Sequence, residues 1–403
     1  MRIVLLIICA LFTFSSTHAS DFDSFLESMN NDYKQQTTEF ETYKEEIERE
    51  FAEYQKIVNE EYASYRKEIA KYWKDPEMSD QRKWVEYTDD YKEKKSIDFE
   101  DGTYKLEIIA DDPKEAQEKL DNMLKDMLTI DKATAFERDV PAKNIEERTK
   151  EDLKNIVTAE VSKESVIGSV VTGKDNPTQE DIDEAAKKLK TDATVTKEEA
   201  KNGQTVFVLQ GKLPSDTNLK KAEQLEPFVQ KYAQEFKITP SLVYSVIQTE
   251  SAFNPMAQSH VPAYGLMQIV PTSAGKDVSQ MLTGKAVILT PSYLFDSENN
   301  VRAGTAYLHI LYYRYLKAIN HPENRLYCAI AAYNTGAGNV AVAFNGRESK
   351  NKFNINIAAG IINSMTPEQV YEHLKNKLEY AEARGYIVKV NNTIPGYINF
   401  DQR

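Results

Sequence analysis

Glu250 is the residue of this chain best placed for acid–base chemistry. It follows Val243, Val246 and Ile247 at intervals of seven, four and three, so a helix with Thr239 as N-cap and Pro240 in its first position turns the carboxyl toward the apolar side. Asn254-Pro255 then ends the regular structure. Burial disfavours the carboxylate, so such a glutamate stays protonated near neutral pH, the state that a general acid for glycosidic cleavage requires. The competing reading is an exposed or ion-paired glutamate at a helix end, with no chemistry to do.

Three later clusters carry groups that could surround such an acid: Gly265-Leu266-Met267-Gln268-Ile269, Ala332-Tyr333-Asn334 with Gly336 and Gly338, and Glu382-Ala383-Arg384-Gly385-Tyr386. Met267 reads equally as an adaptable apolar surface or as core. Tyr333 falls on the packed face of its helix by periodicity, and Tyr386 reads equally as a core tyrosine. Ser251 is otherwise an ordinary polar residue after a helix, whereas Asn334 has little reason to be inside unless it bonds a ligand or loop backbone.

The elements that must position these residues divide the chain. From Asp21 to Trp73 apolar and aromatic residues recur in steps of three and four, with no Pro or Gly, predicting an amphipathic helix with a tyrosine-rich seam. Three uses of that helix stay open: packing on its own domain, recruiting an envelope protein partner, or weak self-association through residues 21–73. Thr103–Ala110 and Thr205–Gln210 read as strands, Pro113–Leu128 and Thr178–Leu189 as helices, and 212–216 as a linker. Beyond Lys221 the chain reads as helical, including Leu225–Phe236, a helix near Asp296, another over Asn324–Tyr333, and a last pair opened by Thr366-Pro367. Gly304 inside the Asp296 helix predicts that something packs closely there. The fold class expected is α+β overall: a long helix and mixed α+β domain, then a mostly α domain.

The first residues have the composition of a secretory signal peptide, giving expected boundaries of 1–19 for the signal, 20–215 for an acidic N-terminal domain and 216–403 for the C-terminal domain. Ile7 and Ile8 precede Cys9, which is not the context of a lipidated cysteine, so an unanchored, soluble protein is expected after export. Cys328 alone then remains, excluding an intramolecular disulfide. The net charge of −13 is uneven: from Lys221 onward 17 Lys and Arg face 14 Asp and Glu, leaving −16 before it. That acidity excludes nucleic acid as a partner of the N-terminal part. No metal-ligand cluster or nucleotide-binding glycine pattern is present, so neither a metal nor a cofactor is expected.

In this order and spacing, with Leu294-Phe295-Asp296 and Gly304-Thr305-Ala306-Tyr307-Leu308 between them, the motifs resemble the lytic murein transglycosylases with a soluble-lytic-transglycosylase type of catalytic domain, over about Leu225 to Val390. The acidic N-terminal region resembles the extra domain of one membrane-bound class of that family. The resemblance implies a lysozyme-like C-terminal fold and cleavage of peptidoglycan glycan strands in a periplasm of Gram-negative type, with outer-membrane association left open. It makes Glu250 first acid and then base, so that the muramoyl 6-hydroxyl closes a 1,6-anhydro ring. Ser251 would bond in the site, Met267 and Gln268 would meet the sugar, Tyr333 and Asn334 would line the groove, and Tyr386 would orient the acid. Two features depart from the pattern: Thr335 stands where glycine or alanine is common, and the lipidation site of membrane-bound members is missing. The alternatives are a hydrolase like goose-type lysozyme, with Asp277 or Asp296 activating water unless each is only a cap, and a non-catalytic glycan-binding envelope scaffold.

Overall fold

The computed structural model describes residues 48–403 apart from 202, and residues 54–403 form one compact unit. Helix α1 is described over residues 48–69. From Tyr54 onward its seam faces inward, with Tyr54, Ile57 and Ile69 fully buried. This part therefore packs on the protein's own core. The partner and self-association readings for 21–47 lie outside the described residues, as does the signal peptide.

After α1 come β1 (Lys83–Tyr87), β2 (Glu93–Asp98), β3 (Thr103–Ala110), α2 (Pro113–Thr129), α3 (Lys132–Arg138), α4 (Val140–Asp152), β4 (Ile156–Val157), α5 (Gly168–Thr172), α6 (Gln179–Thr191), β5 (Thr194–Glu199) and β6 (Thr205–Lys212). Five of the strands make an antiparallel sheet in the order β1-β2-β3-β6-β5. One face, with Trp84, Ile97, Leu106 and Leu209, joins the main core under α2 and α6. The other, with Val85, Tyr87, Ile109 and Val208, is covered by Ile69 and Trp73 at the end of α1. Strands β1, β2 and β5 were not legible because their charges hid them. Lys94 pairs with Glu77 and Glu107, and Lys95 pairs with Glu86 and Asp126, so a strand rich in lysine is buried by neutralisation rather than by apolar side chains.

The expected linker is a packed turn: Leu213 is buried and its N–H donates to Gly102 O at 2.8 Å. Beyond it lie α7 (Thr217–Phe236), α8 (Pro240–Ser251), α9 (Ala274–Thr283), β7 (Ile288–Leu289), α10 (Pro291–Phe295), α11 (Ser297–His309), a π-helical turn (Ile310–Tyr315), α12 (Pro322–Thr335), α13 (Ala337–Asn345), α14 (Ile355–Ile362), α15 (Pro367–Lys377), α16 (Ala381–Thr393) and a 3-10 segment (Ile394–Gln402). The order is α+β first and mostly α afterwards, as expected. Helix α7 begins before Leu225 because Thr217, Lys221 and Ala222 are themselves buried. No helix among the described residues is long and apolar enough to cross a membrane.

The two regions share one core and several polar ties. β4 pairs in parallel with β7. Glu146 of α4 accepts from Ser292 N at 2.8 Å and Ser292 Oγ at 3.0 Å. Lys132 of α3, fully buried, pairs with Glu164 and donates to Ser297 Oγ at 2.8 Å.

Candidate active site

Helix α8 starts and stops for local reasons. Thr239 occupies the N-cap position, but its side chain makes no capping bond. Asp401 of the 3-10 segment supplies the cap instead, accepting from Ser241 N at 2.7 Å and Ser241 Oγ at 2.8 Å. Tyr244 packs on Phe400 and Tyr397 at ring distances of 4.5 and 5.2 Å, fixing the helix along its length. The helix ends at Ala252, ahead of Asn254-Pro255, and Ala252 and Phe253 take successive φ values of +49° and +64°. Neither is glycine, so the break stores about 1 kcal/mol or more at each position.

Glu250 sits in the last turn with 8% of its surface exposed. Burial pushes its carboxyl up to about 8, with the Glu382 charge adding to the rise and Tyr386 and Arg82 opposing it. The group is therefore protonated at neutral pH while retaining an opening to solvent. The Tyr386 hydroxyl lies close enough to act on the carboxyl, yet its geometry falls short of a regular hydrogen bond and no other group takes the hydroxyl.

The turn after α8 is held from behind. Asn300 of α11 accepts from Met267 N at 2.7 Å and donates to Tyr264 O and Leu294 O at 2.8 Å each. A Cβ on Gly265, at φ +75°, would lie 2.8 Å from Asn300 Cγ. Met267 fills the notch at Gly304, as the glycine predicted, and is fully buried. Its side chain is core, so the expected sugar face is not offered. Ser251 is also fully buried, with its hydroxyl 3.0 Å from Ile247 O and 2.8 Å from Leu266 O. The Ser251 hydroxyl is taken by the backbone of α8 and of the turn and makes no bond to the Glu250 carboxyl. Gln268 is held at φ +47°, its amide donating to Gly265 O at 3.0 Å, while its Oε1 is buried without a partner.

Tyr333 of α12 donates to Met267 O at 2.8 Å and stands edge-on to Tyr307. The Glu250 charge reaches it and helps raise its pKa, after burial itself. Asn334 is half-buried and donates to Glu382 Oε1 at 3.3 Å rather than to loop backbone. Asp296 caps α11 through Asn299 N, and Asp277 accepts from Tyr315 OH at 2.8 Å. Neither is among the charges acting on Glu250.

Of the expected residues, Tyr333 and Tyr386 lie within electrostatic reach of Glu250. Tyr333 in turn contacts the Met267 turn, and Asn334 meets the same exposed Glu382 whose charge acts on the acid. Three functional neighbours were missed. Glu382 opens a motif that drew attention only for its tyrosine. Asn300, a buried amide beside Val301 on the packed side of α11, left a readable signal. Arg82 left none, because it comes from the N-terminal region. No group of three or more metal-binding side chains occurs among the described residues.

The sequence profile of the transglycosylase SLT domain matches residues 227–356, and that of the N-terminal domain of membrane-bound lytic murein transglycosylase C matches residues 33–161. Among curated proteins, membrane-bound lytic murein transglycosylase C of Serratia proteamaculans is 46% identical over 178 residues, covering 44% of this chain and 48% of that protein. The Yersinia pestis protein of the same name is 44% identical over the same shares. This chain thus matches about half the length of these relatives. The 70 kDa soluble lytic transglycosylase of Escherichia coli aligns with 43% of this chain and 24% of its own, at 25% identity and a TM-score of 0.32. The mostly helical C-terminal region thus contains a transglycosylase SLT domain similar to that of membrane-bound lytic murein transglycosylase C, and it is preceded by a region similar to the N-terminal domain of those proteins.

Proposed function

We propose that this protein is a peptidoglycan lytic transglycosylase that cleaves the β-1,4 bond between N-acetylmuramic acid and N-acetylglucosamine. The observation that carries the reading is the buried Glu250 carboxyl, protonated up to about pH 8 at the end of a helix. It donates its proton to the leaving oxygen and, now a carboxylate, takes the proton of the muramoyl 6-hydroxyl as that oxygen attacks C1. The products are an N-acetylglucosamine end and a 1,6-anhydromuramoyl end. Tyr386 steadies the carboxyl. Gln268 supplies a donor and an acceptor for an N-acetyl or hydroxyl group of the sugar when its side-chain amide leaves Gly265 O. Ser251, Met267 and Tyr333 orient the turn bearing Gln268, and Asn334 contacts the strand beside Glu382.

A hydrolase needs a carboxylate to activate water, and Asp277 and Asp296 are engaged elsewhere. Glu382 is the other carboxylate whose charge acts on Glu250. We further propose a signal peptide over 1–19, domains over 20–215 and 216–403, and a periplasmic place of action.

Mass spectrometry of digested cell-wall glycan tests the reading. Anhydromuramoyl ends are expected from the wild type and none from Glu250→Gln, which keeps shape and removes the acid. Reducing muramoyl ends carrying the added mass of water would instead establish the hydrolase.

A further inference from the structure

The break of α8 leaves the Thr249 carbonyl, one residue before the acid, without a helical partner. It is taken by Arg82, whose Nη2 donates to Thr249 O at 2.6 Å. Arg82 lies just before β1, in the region matched by the N-terminal domain profile. It is fixed by several bonds: Nη1 pairs with Glu100 Oε1 at 2.5 Å, its N–H donates to Asp80 Oδ1 at 2.7 Å, and its carbonyl accepts from Phe99 N at 2.9 Å. The same segment holds the chain beyond the break, since Asn254 Nδ2 approaches Asp80 O and Gln81 O at 3.4 Å each and Gln258 N donates to Asp80 O at 3.3 Å.

We infer that Arg82 is a positioning residue for the reaction, by which the N-terminal region fixes the strained terminus of α8 and places a positive charge beside Glu250. The inference rests on the reading of Glu250 as the acid. Two effects follow from one guanidinium. Its hydrogen bond satisfies a C-terminal carbonyl and opposes relaxation of the two left-handed residues that follow. Its charge favours the carboxylate that must form when Glu250 gives up its proton, against the opposing charge of Glu382. Glu250 is faced by Tyr386 and Glu382 from α16, Tyr333 from α12 and Arg82 from the N-terminal region, so Arg82 is the one cation in its electrostatic surroundings among the described residues. Glu100, exposed on its far side, tempers that charge.

The test is the pH dependence of kcat on soluble glycan fragments, read by the anhydro product, for wild type, Arg82→Ala, Arg82→Lys, Glu100→Gln and Glu250→Gln. Arg82→Ala is expected to lower kcat about tenfold or more with KM within about twofold, as misplacement of a catalytic group does. Its alkaline limb should move to higher pH, because the lost cation favoured ionisation. Glu100→Gln should move that limb to lower pH. Arg82→Lys should recover the limb but only part of kcat, since an ammonium supplies the charge without the planar fork, and it serves if the alanine variant does not fold. A role in folding alone would scale activity equally at all pH values with an unmoved limb, and that result overturns the inference. Activity retained by Glu250→Gln overturns the Glu250 reading and this inference together. An inactive Glu250→Gln beside an unchanged Arg82 series overturns this inference alone.

Discussion

Met267 occupies the space that a side chain at position 304 would need: a Cβ on Gly304 would lie 2.7 Å from Met267 Cβ. Gly304→Ala should therefore destabilise the protein by about 1–2 kcal/mol, overpacking outweighing the helical gain of alanine. Met267 also bonds Asn300 and Tyr333 through its backbone, so cleavage should fall further than the drop in melting temperature explains. Thermal unfolding beside a cleavage assay checks both; a variant as stable and active as wild type would refute the packing argument.

Glu250 should make stability depend on pH. Its folded value of about 8 lies above the ordinary 4.5, so the native state holds the extra proton between those values. Stability then falls as pH rises from about 4.5 to about 8 and levels off above, by at most about 4–5 kcal/mol. Glu250→Gln removes this term. Its melting temperature should gain on wild type progressively across that window, and a gain independent of pH would contradict the burial effect.

Lys221 has the opposite sign. Burial, with the Lys132 charge adding to it and Glu164 opposing, brings its ammonium down to about 7 from 10.5. The unfolded chain holds the extra proton between those values, so this group's contribution improves as pH rises from about 7 to 10.5. Lys221→Met keeps a packing surface for Phe99, over whose ring the ammonium lies. Its stability relative to wild type should be highest at or below pH 7 and decline toward pH 10.5, followed by urea unfolding at pH 6 and pH 10.

Asp401→Ala should cost about 1–2 kcal/mol by removing the acceptors of Ser241 N and Oγ. Amide exchange should speed up selectively in the first turn of α8. Exchange rates there equal to those of wild type would show that the 3-10 segment does not cap the helix.

Much of this arrangement was legible because local rules and burial agree at particular residues. Pro240 sets the start of α8, the apolar stripe sets the direction of Glu250, and Gly304 announces a close neighbour. Sequence separation hid the rest. Nothing near Thr239 reveals that Asp401 provides its cap, and nothing near Glu250 reveals Arg82. Ser251 and Met267 were identified by position, but their bonding and burial depend on how the 264–269 turn folds back onto α8 and α11. Strand β2 was obscured because Lys94 and Lys95 are neutralised by carboxylates distant in sequence.

The short pairing of β4 with β7 bears on how such a protein can evolve. Ile288 N and Thr290 N donate across it to Asn155 O and Val157 O at 2.8 and 3.1 Å. A C-terminal half joined by recombination to a foreign leader would lose both acceptors, along with the carboxylate that Ser292 uses. The two halves are thus poor candidates for independent exchange between genes.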